Sequence, residues 1–173
     1  MAMTTVLATT EDLPELADAL ARRQKLGLDL YDEVWDGVYR VVPVPAPKHG
    51  KVVTRLGAYL LPLADAAGLE ISTPANIGRD RVDYRVPDLA VYKPDTPLTS
   101  PAFLASAELV VEVLSPRENA GVKLDFYAQW GVREYLEIGD GARLLRLTDG
   151  VWTEVERSEV LGFDVSALGE EVL

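Results

Sequence analysis

One segment limits the folds open to this chain more than any other. Residues 107–114 read Ala-Glu-Leu-Val-Val-Glu-Val-Leu, an apolar run of strand length with Glu112 inside it. A continuous apolar run of this kind is typical of a strand that is buried on both faces of a sheet. A carboxylate in such a strand costs free energy unless it is paired or bound to a cation. The segment therefore predicts a central strand and marks Glu112 as a candidate functional residue.

Three other segments have the periodicity of amphipathic helices. Their apolar residues recur at spacings of three and four, and a glycine that can end a helix follows each segment. These helices are predicted at residues 11–25, 49–67 and 120–130. Pro62 is expected to kink or shorten the second helix. The third helix is expected to turn one face towards the core, with Val122, Phe126 and Trp130.

Strand signals fill the intervals between these helices. The dipeptides Asp36-Gly37 and Asp149-Gly150 predict two hairpin turns. Further strands are predicted at residues 69–72, 77–84, 87–92 and 133–138, with a loop at 94–101. Because helices and strands alternate, the predicted fold class is α/β, a mixed sheet flanked by helices. The length of 173 residues predicts a single domain over residues 1–173, with residues 1–10 flexible.

The balance of charge limits the partners that the chain can bind. It has 28 acidic and 17 basic residues, a formal net charge of −11. This disfavours a broad electrostatic grip on nucleic acid, since that grip comes from lysine and arginine. The absence of cysteine excludes disulfides and thiolate metal sites. No apolar run is long enough to span a membrane and residues 1–10 do not read as a signal peptide, so a cytoplasmic protein without membrane contact is predicted.

A second acid stands out by its position. Asp88 follows Pro87 at the head of the apolar strand predicted at residues 87–92. Asp88 and Glu112 are therefore two acids on two apolar strands, where a carboxylate is paired or bound to a cation. For Glu112, a salt bridge to an arginine is the alternative to a functional role.

The residues around these two acids form a longer arrangement. The chain reads Glu108-Leu-Val-Val-Glu112-Val-Leu-Ser-Pro116 and then Lys123-x-x-x-Tyr127-x-x-x-Gly131-Val-x-Glu-Tyr135. Upstream lie Glu33-Val-Trp-Asp36-Gly37, a proline-rich link to His49, and Pro87-Asp88-Leu-Ala-Val. In their order and spacing these pieces, which extend from about residue 30 to residue 148, resemble the Uma-two family of the restriction-endonuclease-like, or PD-(D/E)XK, superfamily.

This resemblance implies a restriction-endonuclease-like core and a metal-dependent endonuclease that hydrolyses phosphodiester bonds in DNA. Asp88 and Glu112 match the two acidic positions, which implies that they hold Mg²⁺ or Mn²⁺. The superfamily carries a lysine two residues after the second acid, but that position is Leu114 here. Similar proteins supply the lysine from the following helix, which implies Lys123. Asn119 replaces an aspartate that the family often carries, so no charged ligand is expected there.

Three further residues are candidates for the site, each with a plainer alternative. Glu33 is either a third catalytic acid or a surface acid before the hairpin turn. His49 either contacts the substrate or simply begins a helix. Tyr127, one helical turn after Lys123, either lines the site or packs in the core.

Candidate groups for binding phosphate are few. Arg79, Arg81 and Arg85 form a local basic patch just before Asp88. They either contact phosphates or balance charge on an acidic protein.

Two rival functions remain open beside a DNA endonuclease. One is a catalytically inactive relative that uses the fold for binding or assembly, which the net charge favours. The other is a phosphodiesterase for small molecules, which would need no basic groove. A homodimer is expected for a duplex cutter, because two sites are needed. Residues 162–173 are expected to pack either on the core or on a partner.

Overall fold

The computed structural model of the protein describes residues 5–7, 14–79, 82–115 and 121–169. Within these residues, three helices flank two mixed sheets built from thirteen strands. The helices are α1 (Pro14–Lys25), α2 (Pro47–Ala67) and α3 (Leu124–Gln129). The strands are β1 (Thr5–Leu7), β2 (Glu33–Trp35), β3 (Val38–Val41), β4 (Glu70–Ser72), β5 (Asn76–Arg79), β6 (Asp83–Arg85), β7 (Leu89–Tyr92), β8 (Leu98–Ser100), β9 (Phe103–Leu104), β10 (Leu109–Val113), β11 (Glu134–Ile138), β12 (Ala142–Thr148) and β13 (Val151–Val155).

The six-stranded sheet has the order β13-β12-β11-β10-β7-β4. Its strand β10 pairs in parallel with β11 and antiparallel with β7, and all five of its residues are buried. The prediction of a central strand at this point of the sequence is confirmed. The remaining pairs of this sheet are antiparallel.

The pleat of β10 divides its side chains between two cores. Leu109, Val111 and Val113 pack with the buried stripe of α2 on one face of the sheet. Val110 lies on the other face, with Phe126 and Tyr127 of α3. Because side chains alternate along a strand, Glu112 belongs to the α3 face.

The seven-stranded sheet has the order β1-β3-β2-β6-β5-β9-β8. Its hairpin β2–β3 turns at Asp36 and Gly37, which both have positive φ, as the turn dipeptide predicts. Val34, Tyr84 and Phe103 form a core under this sheet. The predicted mixed sheet flanked by helices is confirmed, and the structure adds this second sheet.

Several local predictions are corrected by the structure. Pro62 does not shorten α2, which continues to Ala67; both Pro62 and Ala58, whose carbonyl loses its partner, are on the exposed side of the helix. The single strand predicted at residues 77–84 is two antiparallel strands, β5 and β6. The predicted loop at 94–101 contains β8.

The third helix is shorter than its periodicity indicates. It begins at Leu124, and Val122 is 56% exposed instead of facing the core. Residues 116–120, including Asn119, lie outside the described residues. Phe126 is buried and Trp130 packs against the same core, as predicted.

Both ends of the described chain are held by contacts with the rest of the fold. Strand β1 pairs with β3, while the other residues of the segment predicted as flexible, 1–4 and 8–10, lie outside the described residues. Near the other end, Phe163 and Leu168 are buried in the α2 core, so this segment packs on the core. In the part of the chain that the structure describes, no helix is long and apolar enough to cross a membrane.

Candidate active site

Lys123 lies where the two sheets meet, and it bonds to an acid from each of them. Its Nζ donates to Oε1 of Glu33 on β2 at 2.8 Å. It also lies 2.9 Å and 3.1 Å from the two carboxylate oxygens of Glu112 on β10. The three side chains are nearly enclosed, with Lys123 17% exposed. The predicted meeting of Glu112 with Lys123 is present, and the alternative partner, an arginine, is not the one observed.

Glu112 is a buried carboxylate that is hard to ionise. Its Oε1 accepts a short hydrogen bond from the Tyr127 hydroxyl, in addition to the bond from Lys123. Burial raises the pKa of Glu112 from 4.5 to about 7, with the charges of Asp88 and Glu33 adding to the rise while Lys123 and Tyr127 oppose it. Glu112 thus gains a proton more easily than an ordinary glutamate does.

The pKa of Lys123 is also raised, which for a lysine favours the charged form. Burial disfavours the ammonium, but the charges of Glu112 and Glu33 outweigh burial and raise the pKa of Lys123 above its usual range. The two shifts are compatible because several carboxylates share one ammonium. Lys123 gains two partners, whereas Glu112 shares its only cation with Glu33 and also faces Asp88. Lys123 therefore stays charged, while Glu112 is the group of the pair that takes up a proton near neutral pH.

Asp88 is fixed next to Glu112 by the sheet. It precedes β7, which pairs with β10, and its Oδ2 accepts a hydrogen bond of 2.7 Å from the backbone N–H of Val113. Its Oδ1 lies 2.7 Å from Nε2 of His49 at the start of α2, within hydrogen-bonding distance of the imidazole. The Thr73 hydroxyl donates to the Asp88 backbone carbonyl at 2.8 Å. One carboxylate oxygen of Asp88 is thus bonded to β10, and the other contacts α2.

Glu33 is held as tightly as the other two acids. Its Oε1 accepts from the backbone N–H of Val86 at 2.8 Å as well as from Lys123. Its Oε2 accepts from Trp35 Nε1 at 2.7 Å. Glu33 is 4% exposed, so its alternative interpretation as a surface acid is wrong. With these donors on its two oxygens, Glu33 is placed to anchor Lys123.

Trp35 is itself clamped between two arginines. The guanidinium of Arg40 lies 3.8 Å from the centre of the Trp35 ring, and that of Arg85 lies 4.5 Å from it. Arg85 also stacks 4.0 Å from the ring centre of Phe126. These cation–π contacts hold the indole ring in place. Its N–H is thereby oriented to donate a hydrogen bond to Glu33.

The placement of Arg85 does not support the predicted contact with phosphate. Only 5% of the residue is exposed, and its NH1 donates to the Val34 carbonyl at 2.7 Å and to Asp83 at 2.9 Å. Arg85 is a packing residue of the seven-stranded sheet. Of its predicted companions, Arg79 is exposed and Arg81 lies outside the described residues.

The position of Tyr127 fits both interpretations, a residue that lines the site and a residue of the core. It is fully buried in the α3 core, and its hydroxyl reaches Glu112. Burial raises the pKa of Tyr127 well above its ordinary value, and the charge of Glu112 adds to this effect. The Tyr127 hydroxyl therefore stays protonated and donates a hydrogen bond to the carboxylate.

Sequence reasoning missed two residues of this cluster, Trp35 and Glu137. Glu137 lies on β11 directly beside Glu112 in the register and is 5% exposed. Its Oε2 accepts from the backbone N–H of Gly121 at 3.0 Å, two residues before Lys123. The signal that marked Glu112, an acid inside an otherwise apolar strand, was also present for Glu137.

The donors of the cluster fit a hard divalent cation. Asp88, directly before β7, and Glu112, on the adjacent strand β10, are oxygen donors close enough for the charge of Asp88 to raise the pKa of Glu112. No three Asp, Glu, His or Cys side chains among the described residues are arranged as a ready-made cation cage. Two carboxylates are enough for Mg²⁺, because it keeps several of its waters.

Comparison with known proteins gives a match to one family model. The Uma2 model, described as "Putative restriction endonuclease", matches residues 18–173. No match was found among the curated proteins.

A solved structure has a similar fold. It is the crystal structure of a protein from Anabaena variabilis ATCC 29413 described as a "putative nuclease belonging to DUF820". The TM-score is 0.64 at 14% sequence identity, over 82% of this chain and 91% of that one. At this identity the similarity concerns the fold, and the predicted restriction-endonuclease-like α/β core is confirmed.

Proposed function

This chain belongs to the Uma2 family, and on that premise we propose that it is a metal-dependent endonuclease that hydrolyses phosphodiester bonds in DNA. One observation carries the proposal. Asp88, Glu112 and Lys123, which are separated along the chain, converge with Glu33 between two sheets. A buried acid whose pKa is raised to about 7 among charged partners costs stability when it ionises, which favours a catalytic purpose over a structural one.

In this proposal, Asp88 and Glu112 hold Mg²⁺ or Mn²⁺. Such a cation supplies Lewis acidity towards the phosphate and lowers the pKa of a bound water. One backbone donor and one side-chain donor orient the two carboxylates for this role. The Val113 N–H orients Asp88, and the Tyr127 hydroxyl orients Glu112.

Lys123 is the group proposed to act on the reacting atoms from the protein side. Its ammonium stays charged, since Glu112 and Glu33 raise its pKa against the effect of burial. A fixed positive charge in an enclosed site can orient the attacking water and stabilise the negative charge of the transition state. Glu33 is the positioning residue that holds this ammonium, and Trp35 holds Glu33.

His49 is proposed to act on Asp88 rather than on the substrate directly. Its Nε2 is already engaged with Asp88 Oδ1 at 2.7 Å. A histidine that donates to a carboxylate ligand orients that ligand and adjusts its basicity.

The decisive experiment combines metal binding with cleavage. Mn²⁺ and Mg²⁺ are titrated calorimetrically into the wild type, Asp88→Asn and Glu112→Gln, and the same proteins are incubated with supercoiled and linear DNA. We expect one cation site that both substitutions remove, and cleavage that disappears with it. Wild-type protein that binds neither cation with DNA present, and cuts no DNA, would overturn the proposal in favour of a non-catalytic binding or assembly protein.

A small-molecule phosphodiesterase is the second candidate, and the enclosure of the site favours it. The side chains of Asp88, His49 and Lys123 are only 15–17% exposed. Competition between duplex DNA and a small phosphodiester separates the two, because a small-molecule enzyme would hydrolyse the latter and be indifferent to the former.

Cutting both strands of a duplex would also need two sites, which a symmetric homodimer supplies.

A further inference from the structure

The segment that leads into the candidate active site has an unusual distribution of charge. The chain has 28 acidic residues, yet none lies between Asp36 and Asp65. The same interval contains four basic residues and the single histidine of the chain: Arg40, Lys48, His49, Lys51 and Arg55. Four of these five lie in the first three turns of α2.

Three of these residues share one side of α2. At 100° per residue, Lys48, Lys51 and Arg55 fall within about 60° of each other. They lie about 130° around the helix from its buried stripe, which runs from Val52 to Ala64. Lys48 and Lys51 are exposed and Arg55 is half-buried. We call these three residues the basic flank of α2.

The basic flank has no partner within the described part of the chain. None of its three side chains forms a hydrogen bond or an ion pair with another described residue. Elsewhere, most cationic side chains are engaged, as Arg23 is with Asp32 and Arg146 is with Glu134. In a protein of net charge −11, three neighbouring cations in a segment without acidic residues form a local concentration of positive charge.

Helix stability does not explain why these cations lie at the start of α2. The first turn of α2 contains no acidic residue, and its N-cap, Ala46, makes no side-chain capping bond. Cations at this end of a helix are repelled by the helix dipole, at a cost of about 0.3–1 kcal/mol each. The lysines therefore do not stabilise the start of this helix.

The basic flank begins in the turn of α2 whose His49 contacts the cluster of acids. Lys48 directly precedes His49, whose Nε2 is 2.7 Å from Asp88. The rise from Lys48 to Arg55 is about 10 Å, which matches the rise of about three nucleotides along the axis of B-DNA. The flank thus has the length and charge to contact consecutive phosphates next to the scissile one.

We propose that Lys48, Lys51 and Arg55 bind the phosphate backbone of the DNA strand that enters the candidate active site. This inference rests on the proposed function, which it deepens by naming the surface that holds the substrate. It also accounts for how a strongly acidic protein can hold a polyanion. The contact is local, and the remaining acidic surface repels DNA in other orientations.

The test measures binding of a short fluorescein-labelled DNA duplex by anisotropy, in the presence of a chelator so that no cation is available for cleavage. The variant is Lys48→Gln with Lys51→Gln. The matched control is Arg22→Gln with Lys25→Gln, which removes the same charge from exposed positions on α1. Because the four positions are exposed, both variants should stay folded, with only small changes in thermal unfolding: a slight gain for the α2 variant and a slight loss for the α1 control, from the helix dipole. Each single lysine variant repeats the test if the double variant is less stable.

We expect the α2 variant to lose roughly tenfold in affinity and to lower the salt-dependence slope by about 2, with the α1 control near the wild type. Equal losses in both variants, no loss in the α2 variant, or no binding by the wild type would overturn the inference. The proposed function fails separately: bound DNA that stays intact with Mg²⁺ or Mn²⁺ refutes the endonuclease but not the basic flank.

Discussion

Replacing Glu112 with glutamine should stabilise the metal-free protein at neutral and alkaline pH, although it removes a charged hydrogen-bond acceptor from the buried site. The wild-type carboxylate is buried, and it shares the ammonium of Lys123 with Glu33. Its pKa is raised from 4.5 to about 7, chiefly by burial. Glutamine has the shape of the protonated side chain and never ionises, so it should keep the fold of the protonated form.

The magnitude follows from linkage between protonation and folding. The folded protein binds the Glu112 proton more tightly than the unfolded chain does, so wild-type stability falls as pH rises from about 4.5 to about 7 and is then constant. A difference of about 2.5 pKa units corresponds to about 3 kcal/mol. The free energies of unfolding should therefore be equal near pH 4.5 and differ by about 3 kcal/mol, in favour of Glu112→Gln, near pH 8.

Urea unfolding at a series of pH values with a chelator present measures this difference. The control is Glu108→Gln, at the entry to the same strand. Burial opposes ionisation of Glu108, but Arg133 and Lys93 outweigh it and lower its pKa. Its stabilising effect is present above its ordinary pKa and is lost as pH falls, so this variant should be less stable than the wild type near neutral pH. The reasoning on Glu112 is refuted if Glu112→Gln is also less stable near pH 8.

Three further substitutions test the rest of the arrangement. Lys123→Met should lower the free energy of unfolding in urea at neutral pH by about 3–5 kcal/mol, because Glu33 and Glu112 lose their cation, and it should slow DNA cleavage at least about 100-fold. Tyr127→Phe removes a donor to Glu112, so stability near pH 8 should fall by about 1–3 kcal/mol and the pH at which stability is lost should move upwards. Leu56→Ala, in the α2 core, should cost about 2–5 kcal/mol in the same urea assay while Mn²⁺ binding by calorimetry is unchanged.

The elements that local sequence specifies were predicted correctly. The two Asp-Gly dipeptides form hairpin turns, and β10 is the buried central strand that its apolar run indicates. These features depend on backbone preference and side-chain periodicity within a few residues. The proximity of Asp88 and Glu112 was also predictable, since they belong to two neighbouring apolar strands.

The predictions failed where burial is decided by distant residues. Arg85 reads as a surface cation, but Trp35 and Phe126 stack on its guanidinium and enclose it. Val122 fits the apolar face of a helix, but α3 begins after it and leaves it exposed. Charge and periodicity in a local window carry no information about which surface another element will cover.

The sequence alone determined the α/β class, the central acid-bearing strand and the two acids that stand out on apolar strands. Only the tertiary structure decided that Lys123 joins Glu33 to Glu112, and that His49 meets Asp88. Lys123 and Glu33 are 90 residues apart, and the two acids that Lys123 joins, Glu33 and Glu112, come from different sheets. Their contact depends on how the two sheets pack, because an ion pair forms within a few ångströms and no local preference of the chain specifies that distance.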